Sequence, residues 1–155
     1  MKILIAPDKF KGSLTALEVC EAIKKGILHY SPTISITTLP LADGGEGTLE
    51  VLESVIKFKR ITKDVTGPRF DTVEAFYGLK GDTAYIEMAL ASGLMLLKKR
   101  QQHAPSTTTF GTGELIADAM EKGAKKIFLF VGGSATNDAG IGMAKALGYR
   151  FLNKS

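Results

Sequence analysis

Apolar and polar positions at the start of the chain predict a strand followed by a helix. KILIAP, residues 2–7, is a continuous apolar run that ends at a proline, which predicts a short buried strand. Thr15 and Glu18 then form a T-x-x-E capping box ahead of apolar residues at helical spacing. We expect this helix to end near residues 31–32, where a proline follows a serine.

The same alternation continues up to about residue 60. ISITTLPL, from Ile34, predicts a second strand, and TLEVLESVI, residues 48–56, predicts a second helix with one apolar side. Strand, helix, strand and helix in this order favour a parallel sheet with right-handed crossovers. The first part of the chain is therefore expected to be a βαβα unit over residues 1–60.

The pattern changes beyond that point, where short strands follow one another through tight turns. FKRITKDV, DTVEAFYGL and TAYIEMA predict three strands joined in antiparallel fashion. A helix near residues 114–121 ending at Gly123, the strand KKIFLFV and a helix ending at Gly148 follow. We predict an α/β fold with a boundary near residue 60, between a βαβα piece over residues 1–60 and a mixed α/β piece over residues 61–155.

Composition narrows the class of protein. The chain has 155 residues, of which 45% are apolar, and no apolar run is long enough to cross a bilayer. Its net charge of +4 comes from 20 basic against 16 acidic side chains, and the pairs of lysines are scattered along the chain, so we expect no nucleic-acid partner. One cysteine, Cys20, and two histidines argue against a zinc site. We expect a cytoplasmic protein without a membrane partner.

Three polar loops follow apolar strands, and they carry the candidate chemistry. Loop 1 is APDKFKGS, residues 6–13; loop 2 is LADGGEG, residues 41–47; and loop 3 is VGGSATNDAG, residues 131–140. In a parallel α/β sheet, ligands bind beyond the carboxyl ends of the strands, where such loops lie. Carboxylates beside glycines indicate either Mg²⁺ held through oxygen atoms or a general base next to a phosphate cradle. The P-loop and dinucleotide-binding motifs are absent from the sequence.

Each candidate also has a structural interpretation. Asp43 and the two glycines after it form an ordinary turn sequence. Asn137 and Asp138 precede a predicted helix and are residues of the type that cap one. Glu87 ends an apolar strand, so it is either buried with a partner or faces a cleft. The residues alone support an α/β enzyme that handles phosphate or another anion.

Five blocks of the sequence, in order, resemble the bacterial glycerate kinase family. They are APDKFKGSL, PLADGGEGT, IEMALASGL, TTTFGTGELI and GGSATNDAGIGMAKALGYRF, and they span nearly the whole chain. The resemblance implies transfer of the γ-phosphoryl group of ATP, with Mg²⁺, to D-glycerate, giving 2-phosphoglycerate and ADP. It also implies two α/β domains, one a Rossmann- or flavodoxin-like parallel sheet piece over residues 1–60 and the other a mixed α/β domain over residues 61–155, with a cleft between them. Family members are considerably longer, so we expect this chain to be an N-terminal fragment.

The resemblance assigns roles to residues of the three loops. Asp43 and Asp138 are expected to face Mg²⁺ or the attacking hydroxyl, with Asp8 as a third catalytic candidate, and Lys11 is expected to neutralise negative charge on phosphate or glycerate. The remaining candidates are expected to bind substrate or phosphate: Gly44, Gly45, Glu46, Gly132, Gly133, Ser134, Thr136 and Asn137. Lys9 and Ala139 depart from the residues that many members carry, which are serine and glycine.

Two alternatives to this activity stay open. One is the same chemistry at the other hydroxyl, giving 3-phosphoglycerate. The other is a truncated, non-catalytic module that binds anions. The expected partners are D-glycerate and ATP, and a homo-oligomer is left open.

Overall fold

The computed structural model describes residues 1–152 and shows an α/β protein. Strands β1 (Lys2–Ile5) and β2 (Ser35–Thr38) pair in parallel, and helix α1 (Ala16–Tyr30) connects them. Helix α2 (Thr48–Ile56) follows β2. The predicted βαβα order and the parallel pairing of its strands are confirmed.

Helix α1 begins as predicted but buries only part of its apolar surface. The side chain of Thr15 accepts from the backbone N–H of Glu18, and the Glu18 carboxylate accepts from the N–H of Thr15, which completes the capping box. The buried residues are Ala16, Val19 and Cys20. The longer apolar residues at helical spacing are only partly covered, for example Leu17 and Ile23, because the two-stranded sheet offers a narrow surface to pack against.

The expectation that β1 is a buried strand is wrong for most of its length. Leu4 is 62% exposed and only Ile5 is fully buried. Strand β1 pairs with a single neighbour, and α1 covers one face of the pair. A side chain on the opposite face therefore has no covering layer within the described residues.

The second sheet has four strands. They are β3 (Lys59–Thr66), β4 (Thr72–Lys80), β5 (Thr83–Glu87) and β6 (Lys126–Phe130), hydrogen-bonded in that order. The first three are antiparallel, as the turns between them predict, and β6 joins β5 in parallel. The sheet is therefore mixed, in agreement with the predicted mixed α/β part.

Three further helices complete the described chain. Helix α3 (Ala89–Ser92) follows β5, α4 (Phe110–Glu121) precedes β6, and α5 (Ile141–Ala146) follows loop 3. Three short 3₁₀ turns lie between α3 and α4: Leu94–Leu96, Lys99–Gln101 and Ala104–Ser106. Helix α4 starts before the predicted Glu114, and the two buried glycines of its first turn allow close approach to β3 and α5.

The core lies between α4 and one face of the four-stranded sheet. A buried carboxylate ties the two layers together: Asp118 of α4 accepts from Lys63 Nζ at 2.9 Å, Lys122 Nζ at 2.8 Å and Tyr77 Oη at 2.8 Å. Burial alone would raise the pKa of Asp118, but these hydrogen bonds outweigh it and lower the pKa to about 2. The carboxylate is therefore ionised at neutral pH.

The two sheets share no strand, and the chain passes from the first to the second between α2 and β3. The division into domains near residue 60 stays a prediction. Within residues 1–152, no helix combines the length and the apolar character that crossing a membrane requires.

Candidate functional site

Loops 1 and 2 come together because they follow parallel neighbouring strands. Strands β1 and β2 run in the same direction, so their carboxyl ends meet at one edge of the sheet. The backbone N–H of Leu41 donates to the carbonyl of Pro7 at 2.9 Å, which joins the two loops directly. The predicted convergence of these loops is therefore present.

Loop 3 reaches loop 2 from the end of β6, and glycines make the contact possible. The N–H of Gly132 donates to the carbonyl of Gly44 at 2.9 Å. A Cβ atom on Gly132 would lie 2.7 Å from both Cα and N of Gly45. The two backbones can approach this closely because residue 132 has no side chain.

A polar cavity of about 200 Å³ opens where the three loops meet. It brings together six of the predicted site residues with one that was not predicted. Its lining consists of Asp8, Lys9, Lys11, Asp43, Gly45, Glu46 and Gly133. Most of this wall is therefore made of residues that the loop sequences predicted.

Lys9 is the residue that the prediction of site residues missed. Its Nζ lies 3.3 Å from Asp43 Oδ1 and 3.9 Å from Asp8 Oδ1. The N–H of Gly45 donates to Asp43 Oδ1 at 2.9 Å, and this bond together with the Lys9 ammonium lowers the pKa of Asp43. Its place in loop 1, next to Asp8 and beyond the end of β1, is a signal that could have singled it out.

Glu46 carries an unusual carboxylate. Its side chain lies against Gly133, where an added Cβ would be 2.6 Å from Glu46 Oε1, and Gly133 has a φ of +70°. Glu46 Oε1 is buried and has no hydrogen-bond partner among the described residues. Since buried acceptors are nearly always paired, an oxygen without a partner makes Glu46 a candidate for binding a group that the described residues do not supply.

The middle of loop 3 turns away from the polar cavity. The hydroxyls of Ser134 and Thr136 bond to each other at 2.7 Å, and the N–H of Ala135 donates to the carbonyl of Ser92 at 2.9 Å. Asn137 is exposed. None of these residues lines the polar cavity, although Ser134, Thr136 and Asn137 were predicted to bind substrate or phosphate.

Both carboxylate oxygens of Asp138 accept hydrogen bonds. Its Oδ2 accepts from the N–H and the hydroxyl of Thr109 at 2.9 and 2.8 Å and from the N–H of Gly142 at 3.1 Å, while Oδ1 accepts from the N–H of Gly140 at 3.1 Å. Burial opposes ionisation, but these bonds lower the pKa of Asp138 overall. The carboxylate thus holds the starts of α4 and α5 together, which favours the capping interpretation.

Glu87 is buried with partners, one of the two alternatives for it. It is 1% exposed, and its carboxylate accepts from the N–H of Gly47 at 3.2 Å and of Leu49 at 3.0 Å. Burial raises the pKa of Glu87, and the two hydrogen bonds partly offset that rise. Glu87 therefore fixes the end of loop 2 and the first turn of α2 to the second sheet.

The described residues contain no group of three or more histidine, cysteine, aspartate or glutamate side chains able to hold a metal ion. This does not conflict with a Mg²⁺ site, because Mg²⁺ is commonly held by one or two carboxylates together with substrate phosphates and water. Asp43 and Glu46 supply such carboxylates in the polar cavity.

Comparisons with known proteins agree with one another. The model of the glycerate kinase family matches residues 3–155. Glycerate kinase of Bacillus subtilis (strain 168) is 50% identical over 157 positions, which cover 100% of this chain and 41% of that protein. Glycerate 2-kinase of Escherichia coli (strain K12) is 49% identical, with 99% of this chain and 41% of that protein covered.

A solved structure is similar as well. The crystal structure of a provisionally named glycerate kinase 2 from Salmonella typhimurium LT2 has a TM-score of 0.75 and 49% identity, and the match covers 96% of this chain and 40% of that one. The chain spans about two-fifths of the length of the curated relatives it matches, 41% in each case cited above.

Proposed function

The chain belongs to the glycerate kinase family, and from that premise we propose that it contributes one wall of a site that transfers the γ-phosphoryl group of ATP to D-glycerate. The observation that carries the proposal is the meeting of loops 1, 2 and 3 around a polar cavity with a buried, unpartnered oxygen of Glu46. D-Glycerate offers hydroxyl groups that donate to such an oxygen and a carboxylate that seeks cations.

The charges of the cavity support binding of anions. Lys9 and Lys11 line it, and Lys11 is exposed on loop 1. Phosphoryl transfer requires alignment and neutralisation of charge more than covalent chemistry from the protein. We assign Lys9 and Lys11 to neutralising the phosphates or the glycerate carboxylate, and Asp8 to orienting Lys9 across their 3.9 Å contact.

We assign the carboxylate that faces Mg²⁺ to Asp43, with Glu46 beside it. Hydrogen bonding from Gly45 and the neighbouring Lys9 keep Asp43 ionised, which suits a hard cation. Asp138 was predicted for the same task, but all its contacts are to backbone N–H groups and a hydroxyl, and we assign it to positioning α4 and α5. When bound, Mg²⁺ would neutralise phosphate charge and orient the transferred group.

We propose the 2-hydroxyl of D-glycerate as the acceptor, giving 2-phosphoglycerate and ADP. Support comes from the 49% identical relative of Escherichia coli, which is named a glycerate 2-kinase. Transfer to the 3-hydroxyl is the alternative within the same chemistry. Phosphorus NMR of the product separates the two phosphoglycerates.

The proposal is tested by the formation of ADP that depends on D-glycerate, with Mg-ATP supplied. Glu46→Gln and Asp43→Asn are expected to reduce turnover strongly, whereas Glu74→Gln, an exposed glutamate of β4, serves as the matched control. Saturable binding of D-glycerate without turnover would instead support the non-catalytic module, which is a specific alternative because the chain spans only 41% of its relatives.

A further inference from the structure

A second cavity adjoins the polar one and differs from it in character. It has a volume of about 260 Å³ and lies between loop 1, the start of α1 and the first turn of α2. The two cavities share Asp8, Lys9 and Glu46 as common lining residues. The apolar part of its wall is formed by Phe10, Leu14, Leu17, Leu41 and Val51.

These apolar side chains are held open to solvent by local structure. Phe10 and Leu14 face each other in a tight antiparallel bridge, with the N–H of Phe10 donating to the carbonyl of Leu14 at 2.9 Å. Phe10 is 60% exposed and Leu41 is 47% exposed. The capping box at Thr15 fixes the first turn of α1, which carries Leu17.

Of the two reactants of the proposed reaction, only one has a part that suits an apolar cavity. D-Glycerate is polar throughout, and so is the phosphate chain of ATP. Neither gains from contact with apolar side chains, which favour flat or apolar groups. The purine base is the part of the reactants that has apolar faces, and it is joined to phosphates that need the cations of the neighbouring cavity.

We propose that the apolar cavity is the nucleoside subsite: adenine lies against Phe10 and Leu14, and the phosphates run past Lys9 into the polar cavity. Glu50, at the rim of the cavity, accepts from the ribose hydroxyls. This inference rests on the proposed function, since it takes the ligand to be the nucleotide of a kinase.

The test compares ATP with tripolyphosphate, which has the charges of ATP and no base. Both are titrated with Mg²⁺ into the chain and its variants by calorimetry. Phe10→Ala is expected to weaken ATP binding by about tenfold, since stacking of a base on an aromatic ring contributes about 1 to 3 kcal/mol. Tripolyphosphate binding is expected to stay unchanged. Phe70→Ala, a variant of a 71% exposed phenylalanine between β3 and β4, is the matched control.

Two outcomes overturn the subsite. The first is that ATP binds the wild-type chain no more tightly than tripolyphosphate does. The second is that Phe10→Ala leaves ATP binding unchanged. Saturation-transfer NMR on the wild-type chain gives a readout that needs no variant: the adenine H2 and H8 protons should receive magnetisation from leucine and valine methyl groups, and its absence counts against the proposal.

The failure of the proposed function is recognised separately. Selective, Phe10-dependent ATP binding without glycerate-dependent ADP formation would support the subsite and reject the kinase activity of the chain. If the chain forms ADP and Phe10→Ala leaves the KM for ATP unchanged, the kinase activity is supported and the subsite is rejected.

Discussion

Replacing Gly132 by alanine tests the contact on which the site depends. The new methyl group would lie 2.7 Å from Cα and N of Gly45, closer than carbon and nitrogen atoms approach without displacement. Both neighbours are backbone atoms, so loop 2 or loop 3 must move. Overpacking of this kind costs about 1 to 3 kcal/mol. Loss of the 2.9 Å bond from Gly132 to Gly44 adds about 1 kcal/mol.

The expected result is a loss of about 2 to 4 kcal/mol in the free energy of unfolding, with weaker binding of D-glycerate. Urea unfolding and calorimetry measure the two effects. Gly26→Ala is the matched control, because Gly26 lies in α1 with open space around it, and there alanine should stabilise the helix by up to about 1 kcal/mol. A Gly132→Ala chain as stable and as competent in binding as the wild type would refute the role given to this contact.

Three further substitutions test other features. Asp118→Asn should lower stability by about 2 kcal/mol at pH 7, because the Asp118 pKa falls from 3.8 to about 2 in the fold. A depressed carboxyl pKa stabilises the fold above pH 3.8, and the difference should shrink as pH falls from there towards 2 in urea unfolding. Ala139→Gly should stabilise by about 1 kcal/mol in thermal unfolding, because Ala139 has a φ of +51°; a lower midpoint would contradict this. Glu87→Gln places an amide donor against a backbone N–H, so hydrogen exchange of the Gly47 and Leu49 amides should accelerate. Glu50→Gln, at an exposed residue, is the control and should leave this exchange unchanged.

The starts and ends of helices were predicted well from the sequence, because they depend on residues that are close together in the chain. The capping box at Thr15 and the glycines that end α4 and α5 depend on neighbours within a few residues, and the structure confirms them. The burial of β1 failed because it depends on which layers cover the sheet. An apolar run indicates a strand, but Leu4 is exposed because no described element packs on its side.

The two carboxylates of the glycine-rich loops also differ through contacts with residues distant in the chain. Glu46 and Asp138 both follow small residues after a strand, and the sequence assigned both to a ligand. Thr109, 29 residues before Asp138 in the chain, satisfies Oδ2 of that aspartate with two donors, whereas nothing in the described chain satisfies Glu46 Oε1. Whether a loop carboxylate is free for a ligand is thus decided by donors from distant segments. A spacing rule within the loop does not contain that information, so the loop sequences alone cannot tell these two carboxylates apart.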